Sequence, residues 1–292
     1  MSETEQGNCL GDYLRARRGV VTPGQVGIPT AANRRVTGLR REELAMLAGI
    51  SADYYLRLER GRDRNPSIQV LESLARVLQL DDLETEYLIG LAAARPRSRP
   101  RRKPERVPAR AHQLLASLNL PAFIEGRAFD VLASNHLACA LSPRLTPGHN
   151  RLRSLLLDPE ERAFQEDWER AVEDFVAAFR KSVGDGGSDP RFVELVGELS
   201  LSSARFRSLW ARHDVRRLVG GTTTVNHPVV GQMRLHRDKL PFDDLLLVLY
   251  YPEQGSDSDQ KLRLLASTTI TGPPRAHTPD ANAADPDLTS HG

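Results

Sequence analysis

The sequence predicts an all-α N-terminal helix-turn-helix domain followed by an α+β domain, a small antiparallel sheet covered by helices. Three observations carry that expectation. Up to residue 94 the apolar residues recur at spacings of three and four, the period of amphipathic helices. Arg95–Pro108 then reads "RPRSRPRRKPERVP", with four prolines and seven Lys or Arg, a run that cannot bury a core and predicts an extended linker over 95–108. Beyond it, strand-sized apolar runs alternate with helical periods. At 292 residues the chain has room for both domains, 1–94 and 109–270.

In the first domain, Leu10, Tyr13 and Leu14 mark one helix, Leu39–Ala48 a second and Ser51–Arg60 a third. Ile68, Leu71, Leu74, Ala75 and Leu78 form the stripe of a fourth over Ser67–Gln79. Asp81 with Glu84 makes a capping box that opens a fifth, Asp82–Ala94. The second and third helices are separated only by Gly49-Ile50. A glycine there supplies the left-handed C-cap, and Ser51 caps the next helix with its hydroxyl. Leu44, Ala45, Ala48, Tyr55 and Leu58 face inward, and the two alanines allow close approach. This pattern is a helix-turn-helix.

The charges occupy what the core leaves free. Residues 1–108 hold 19 basic against 14 acidic residues, and 109–292 hold 21 against 24, so a polyanion partner is expected of the first part alone. Arg40 and Arg41 open the second helix; Ser51, Ala52, Asp53, Tyr54 and Arg57 present the outer face of the third near its start, where a recognition helix meets base edges. Arg60, Arg62 and Arg64, with Arg34 and Arg35, form a positive rim suited to phosphates. Arg97, Arg99, Arg101 and Arg102 of the linker offer further phosphate or minor-groove contacts. One such domain covers a half-site, so a homodimer on double-stranded operator DNA is expected.

In the second domain "PAFIEG" and "FDVLASN" read as two strands, followed by a helix at Leu152–Leu157 and a long one at Pro159–Val183 with Phe164, Trp168, Ala171, Val172, Phe175, Val176 and Phe179 on one face. Asp189-Pro190 opens another helix, and Ser202 or Ser203 caps one carrying Phe206, Leu209 and Trp210. Strands follow at Thr222–His227, Val229–His236 and Leu245–Tyr251, the last apolar on both sides and so central. Residues 271–292, rich in Pro, Ala, Asp and Thr, read as a disordered tail.

Other chemistry finds little support. The sequence has no Gly-x-Ser-x-Gly elbow, phosphate loop or metal-spaced His pair, so no enzyme, metal or cofactor is expected. Cys9 and Cys139 suggest neither a disulfide framework nor a metal knuckle. No apolar run approaches the roughly 18 residues of a membrane helix, and no signal sequence opens the chain, so a cytoplasmic, nucleoid-associated protein is expected.

Two resemblances sharpen this reading. "LRREELAMLAGIS" followed by "YYLRLERG" resembles the lambda-repressor/Cro-type or XRE family, in its actinobacterial branch with a tandem Tyr. The resemblance implies that Glu59 partners basic groups of its own domain and does not read bases; Arg60 stands where relatives commonly have Gln. "LPAFIEGRAFDVLASNHLACAL", "RLRSLLLDPEERAFQEDWERA", "DPRFVELVGELSLSSARFRSLWARHDV" and "NHPVVGQMRLHRD" are similar, in order, to MmyB-like regulators. Their C-terminal part resembles a PAS domain and is thought to hold a fatty acyl or similar apolar ligand.

Asn135, Asn150, Arg153, Trp168, Trp210, His213 and His227-Pro228 match the family pattern, as fold determinants or as part of a ligand region; Phe164, Phe175 and Phe206 either line that region with Trp168 and Trp210 or fill a core, and Arg153 or His213 is available to a carboxylate. Ser134 replaces a common Trp, which implies an altered pocket. The implied function is a ligand-responsive transcription regulator; the alternative is a C-terminal domain that binds a protein partner.

Overall fold

The computed structural model describes residues 8–29, 34, 36–63, 65–93, 105–186, 189–218 and 220–270. Arg35, Arg64, linker residues 95–104 and the tail 271–292 lie outside the described residues.

Among the described residues, five α-helices build the N-terminal domain: α1 (Cys9–Val20), α2 (Arg41–Ala48), α3 (Ala52–Glu59), α4 (Ile68–Val77) and α5 (Asp82–Ala92). Each expected local signal operates. Gly49 has φ +71°, a conformation that strains any side chain, and its N–H closes back on Ala45 and Met46. The Ser51 hydroxyl accepts from the Tyr54 N–H at 3.1 Å, and Asp81 and Glu84 cap α5 reciprocally. Leu14, Leu44, Tyr55, Leu58, Leu74 and Leu88 are fully buried in one core.

The second domain has a five-stranded antiparallel sheet of order β2-β1-β5-β4-β3. Its strands are β1 (Ala122–Glu125), β2 (Val131–Ser134), β3 (Gly221–His227), β4 (Gly231–Phe242) and β5 (Leu245–Tyr251). As expected of a strand apolar on both sides, β5 is central. On one face, Ala122, Ile124, Leu245 and Leu247 pack against α6 (Ala109–Ser117). On the other, Phe123, Met233, Leu235, Val248 and Tyr250 meet α7 (His136–Leu141) and α13 (Asp257–Ile270). A third core lies among α8 (Arg151–Leu157), α10 (Trp168–Gly186), α11 (Pro190–Ser202) and α12 (Ala204–Ala211).

Several elements depart from the sequence reading. The expected helix Pro159–Val183 is two, α9 (Pro159–Phe164) and α10, because Gln165 bridges Val225 and the Glu166 N–H donates to the Thr224 carbonyl. That contact with β3 is non-local, so it leaves the helical spacing of the apolar residues intact. The middle strand starts at Gly231, with Val229 exposed in the turn, and runs on to Phe242. Helices α6, α7 and α13 have no counterpart in the sequence reading.

The two domains touch. Val215 is buried in the N-terminal core, and the Tyr13 ring packs edge-on to Tyr87 and faces His213. Arg17 pairs with Glu84 at 2.9 Å and Asp214 at 3.3 Å. A Cβ on Gly184 would lie 2.3 Å from the Tyr87 ring, so the far end of α10 meets α5 at a place where only glycine fits.

Candidate nucleic-acid interface and ligand cavity

On α3 the inward residues Tyr55 and Leu58 anchor the helix, while Asp53 and Arg57 are exposed and Ala52 and Tyr54 half-buried. The Arg57 guanidinium lies 5.5 Å from the Tyr54 ring centroid, which restricts an otherwise free side chain. Arg40, Arg60 and Arg62 are exposed at the helix ends; Arg64 lies outside the described residues.

Glu59 explains how arginines are held in a helical corner with a dry core. Its side chain is fully buried and accepts from Arg18 Nε at 2.8 Å and from Arg41 Nε at 2.6 Å. Burial opposes its ionisation, but the hydrogen bonds from Arg41 and Arg18 outweigh it and hold the pKa below the usual carboxylate range. Arg41 remains 42 % exposed, so its outer edge still faces solvent. Behind it, Glu43 takes two 2.6 Å bonds from Arg34, which lower its pKa to about 2. Glu43 also accepts from the Arg40 N–H at 2.7 Å, fixing the start of α2.

Between the sheet and α8–α10 the second domain contains a cavity open to solvent, with about 50 Å³ of room. Leu141, Leu145, Leu155, Phe164, Ala171, Phe175 and Val225 give it an apolar side; Ser142, Arg144, Arg151, Ser154, Glu161, Gln165, Thr223, Arg237 and Tyr250 complete the lining with polar groups. Glu125, fully buried on β1, accepts from Arg151 at 2.7 Å and from Lys239. Burial again opposes ionisation, and the two cations overcome it, keeping Glu125 below the usual carboxylate range. Burial lowers Lys239 to about 8 despite its carboxylate partner.

A model of the MmyB-like transcription regulator ligand-binding domain matches residues 107–265, more than half of the chain. The chain belongs to the MmyB-like transcription regulators. A helix-turn-helix domain model matches residues 10–88. An MmyB-like regulator with this head is a DNA-binding transcription regulator with a domain for a small-molecule ligand, and the cavity lies inside that domain. A comparison with curated proteins found no match. Among the described residues no helix is long and apolar enough to cross a membrane.

Of the residues singled out from sequence for the ligand, Phe164 and Phe175 line the cavity. The others have different tasks. Asn135 is buried as the N-cap of α7: its oxygen accepts from the Ala138 and Ala122 N–H groups and its amide donates to Leu120. Arg153 points out, 56 % exposed and paired with Glu198 at 2.6 Å. Trp168 donates to the Leu155 carbonyl at 2.7 Å, in the wall but not facing the cavity. Phe206 and Trp210 stack at 5.2 Å in the helical core that also holds Phe175, and neither lines the cavity. His213 lies at the domain contact, its Nδ1 3.2 Å from Arg180 Nη1.

Ser134 does not line the cavity; its hydroxyl lies 3.3 Å from Cys139 Sγ. Sequence reasoning missed Glu125, Arg151, Arg237 and Lys239. A signal for three of them was present: with period two, Glu125 follows Phe123 and Arg237 and Lys239 follow Met233 and Leu235 onto the inner face.

Proposed function

We propose that this MmyB-like regulator reads operator DNA as a cytoplasmic homodimer through Ser51–Arg57 and the surrounding arginines, and that its C-terminal domain senses a small apolar, fatty-acyl-like ligand. The apolar-walled cavity is the observation that carries the reading. Helix α10 supports a route between the two activities. Ala171 and Phe175 near its start line the cavity, and Gly184 near its end abuts Tyr87 of α5. A ligand that favours one setting of α10 shifts the position of the DNA-binding domain, provided its affinity differs between the two settings.

Two measurements test this. Native mass spectrometry of freshly purified protein should show a discrete apolar mass, lost on denaturing extraction; a protein that binds operator yet never carries or takes up such a molecule contradicts ligand sensing. In fluorescence anisotropy with operator and unrelated DNA, Arg57→Ala should lower operator affinity about 10- to 100-fold with little change on unrelated DNA. Arg41→Ala should weaken both and make the salt dependence shallower by about one charge. Unchanged operator affinity in both variants overturns the DNA docking.

A further inference from the structure

The outer face of α3 carries two opposite charges that do not pair. Asp53 and Arg57 are both exposed and stand four residues apart, the spacing at which a helix joins a carboxylate to a guanidinium. Arg57 turns instead to the Tyr54 ring, 5.5 Å from its centroid, and neither charge forms an ion pair among the described residues. The ring is a firm shelf, because Tyr54 packs against the domain core and its N–H donates to the Ser51 hydroxyl at 3.1 Å. A guanidinium over a ring face keeps its N–H edge for another partner. Elsewhere in this corner, Glu59 is matched by Arg18 and Arg41, and Glu43 by Arg34.

An unmatched carboxylate on a face that meets DNA opposes binding unless a donor answers it, since the phosphates are negative. In the major groove only the amino groups of cytosine and adenine donate, while guanine and thymine present acceptors. Adenine sets its N7 acceptor beside the amino group, where it repels the second carboxylate oxygen, so cytosine fits best. Arg57 has the complementary preference, because its forked donors match O6 and N7 of guanine. Four helical residues advance about 6 Å, and base pairs are stacked about 3.4 Å apart. The two side chains therefore reach different base pairs, one or two steps apart.

We infer that Asp53 is a specificity-determining residue that accepts from a cytosine amino group, and that the operator half-site holds this cytosine one or two base pairs from the guanine read by Arg57. This rests on α3 being the reading helix. It adds that Asp53 acts by exclusion: it weakens binding where guanine or thymine replaces the cytosine, and it holds down affinity for unrelated DNA.

Selection of bound duplexes from a random library by the full chain, followed by fluorescence anisotropy on the recovered duplex, tests the assignment. The recovered half-site should contain the cytosine and the guanine at that spacing, and changing the cytosine to thymine should lower affinity about 10- to 100-fold. Asp53→Ala should bind unrelated duplex about three- to tenfold tighter and reduce the penalty of the thymine change to below about threefold, while the guanine remains required. Asp53→Asn, whose amide fits N6 and N7 of adenine, should move the selected base from cytosine to adenine. If both Asp53 variants select the unaltered half-site while Arg57→Ala loses the guanine, Asp53 reads nothing and α3 remains the reading helix. If Arg57→Ala also selects the unaltered half-site, the docking of α3 fails and the inference with it. A half-site with no cytosine at that spacing overturns the inference directly. Circular dichroism and melting temperature matched to the unaltered protein establish that each variant is folded.

Discussion

Glu59 shows most directly how a single residue joins the core of the DNA-binding domain to its charged surface. A fully buried carboxylate survives only if its charge is answered, and Arg18 from α1 and Arg41 from α2 answer it, tying three helices together. Glu59→Gln keeps the shape and removes the charge, leaving Arg18, 16 % exposed, without its counterion. The expected cost is about 3 kcal/mol of stability, since breaking a buried pair from one side leaves the other ion uncompensated. Chemical denaturation should show it as a lower midpoint with an unchanged slope, and operator affinity should fall as Arg41 loses its fixed position; an unchanged midpoint would mean that the pair is incidental. The role of Glu59 was implied by the family resemblance of "RLERG", and Gly49 and Ser51 were legible because turn and cap chemistry is local. Arg237 and Lys239 were not read, although the period of two on β4 carries them to the inner face after Met233 and Leu235.

At the scale of the element, α10 decides how far the two domains communicate. Its apolar face was legible from the spacing of Val172, Phe175, Val176 and Phe179, and all four are buried. Its start was not: the apolar pattern continues unbroken from Phe164, and only the bridge from Gln165 to Val225 separates α9 from α10. Likewise, the length of β4 was hidden because Arg237 and Lys239 occupy inward positions that a hydrophobic pattern assigns to apolar residues. Near its end, α10 depends on a missing side chain. Gly184→Ala places a methyl group 2.3 Å from the ring of Tyr87, itself packed against Tyr13, so one helix has to move. Alanine favours the helix by about 1 kcal/mol over glycine, so a purely local effect would raise the melting temperature. Steric displacement predicts the reverse: a lower melting temperature and faster hydrogen exchange in α1 and α5. A stabilised variant with unchanged exchange would show that the domains are not tightly docked.

Across the whole molecule, the contact between the domains is built around a histidine held neutral. Burial, reinforced by the neighbouring Arg180, lowers the pKa of His213 from its ordinary value to about 4. The geometry agrees, since Arg180 can donate to His213 Nδ1 only while that nitrogen is unprotonated. The other groups facing it are the Tyr13 ring and, on the adjoining residue, Asp214, which is engaged by Arg17 and Arg212 and so does not compensate a second positive charge. The folded state therefore binds fewer protons than the opened state between about pH 6.5, the ordinary histidine value, and pH 4. Stability rises with pH wherever the opened state holds more protons, so docking is at full strength above about 6.5 and weakens as pH falls towards 4. Replacing His213 with Gln removes the proton-binding site. The difference in melting temperature between His213→Gln and the unaltered protein should shift in favour of the variant as pH is lowered from 7 to 4.5, because carboxylates elsewhere titrate equally in both and cancel. Hydrogen exchange in α1, corrected for its intrinsic pH dependence, should accelerate over the same range only in the unaltered protein. Parallel melting curves across that range would show that His213 stays neutral in the opened state too, and that the contact carries no proton linkage.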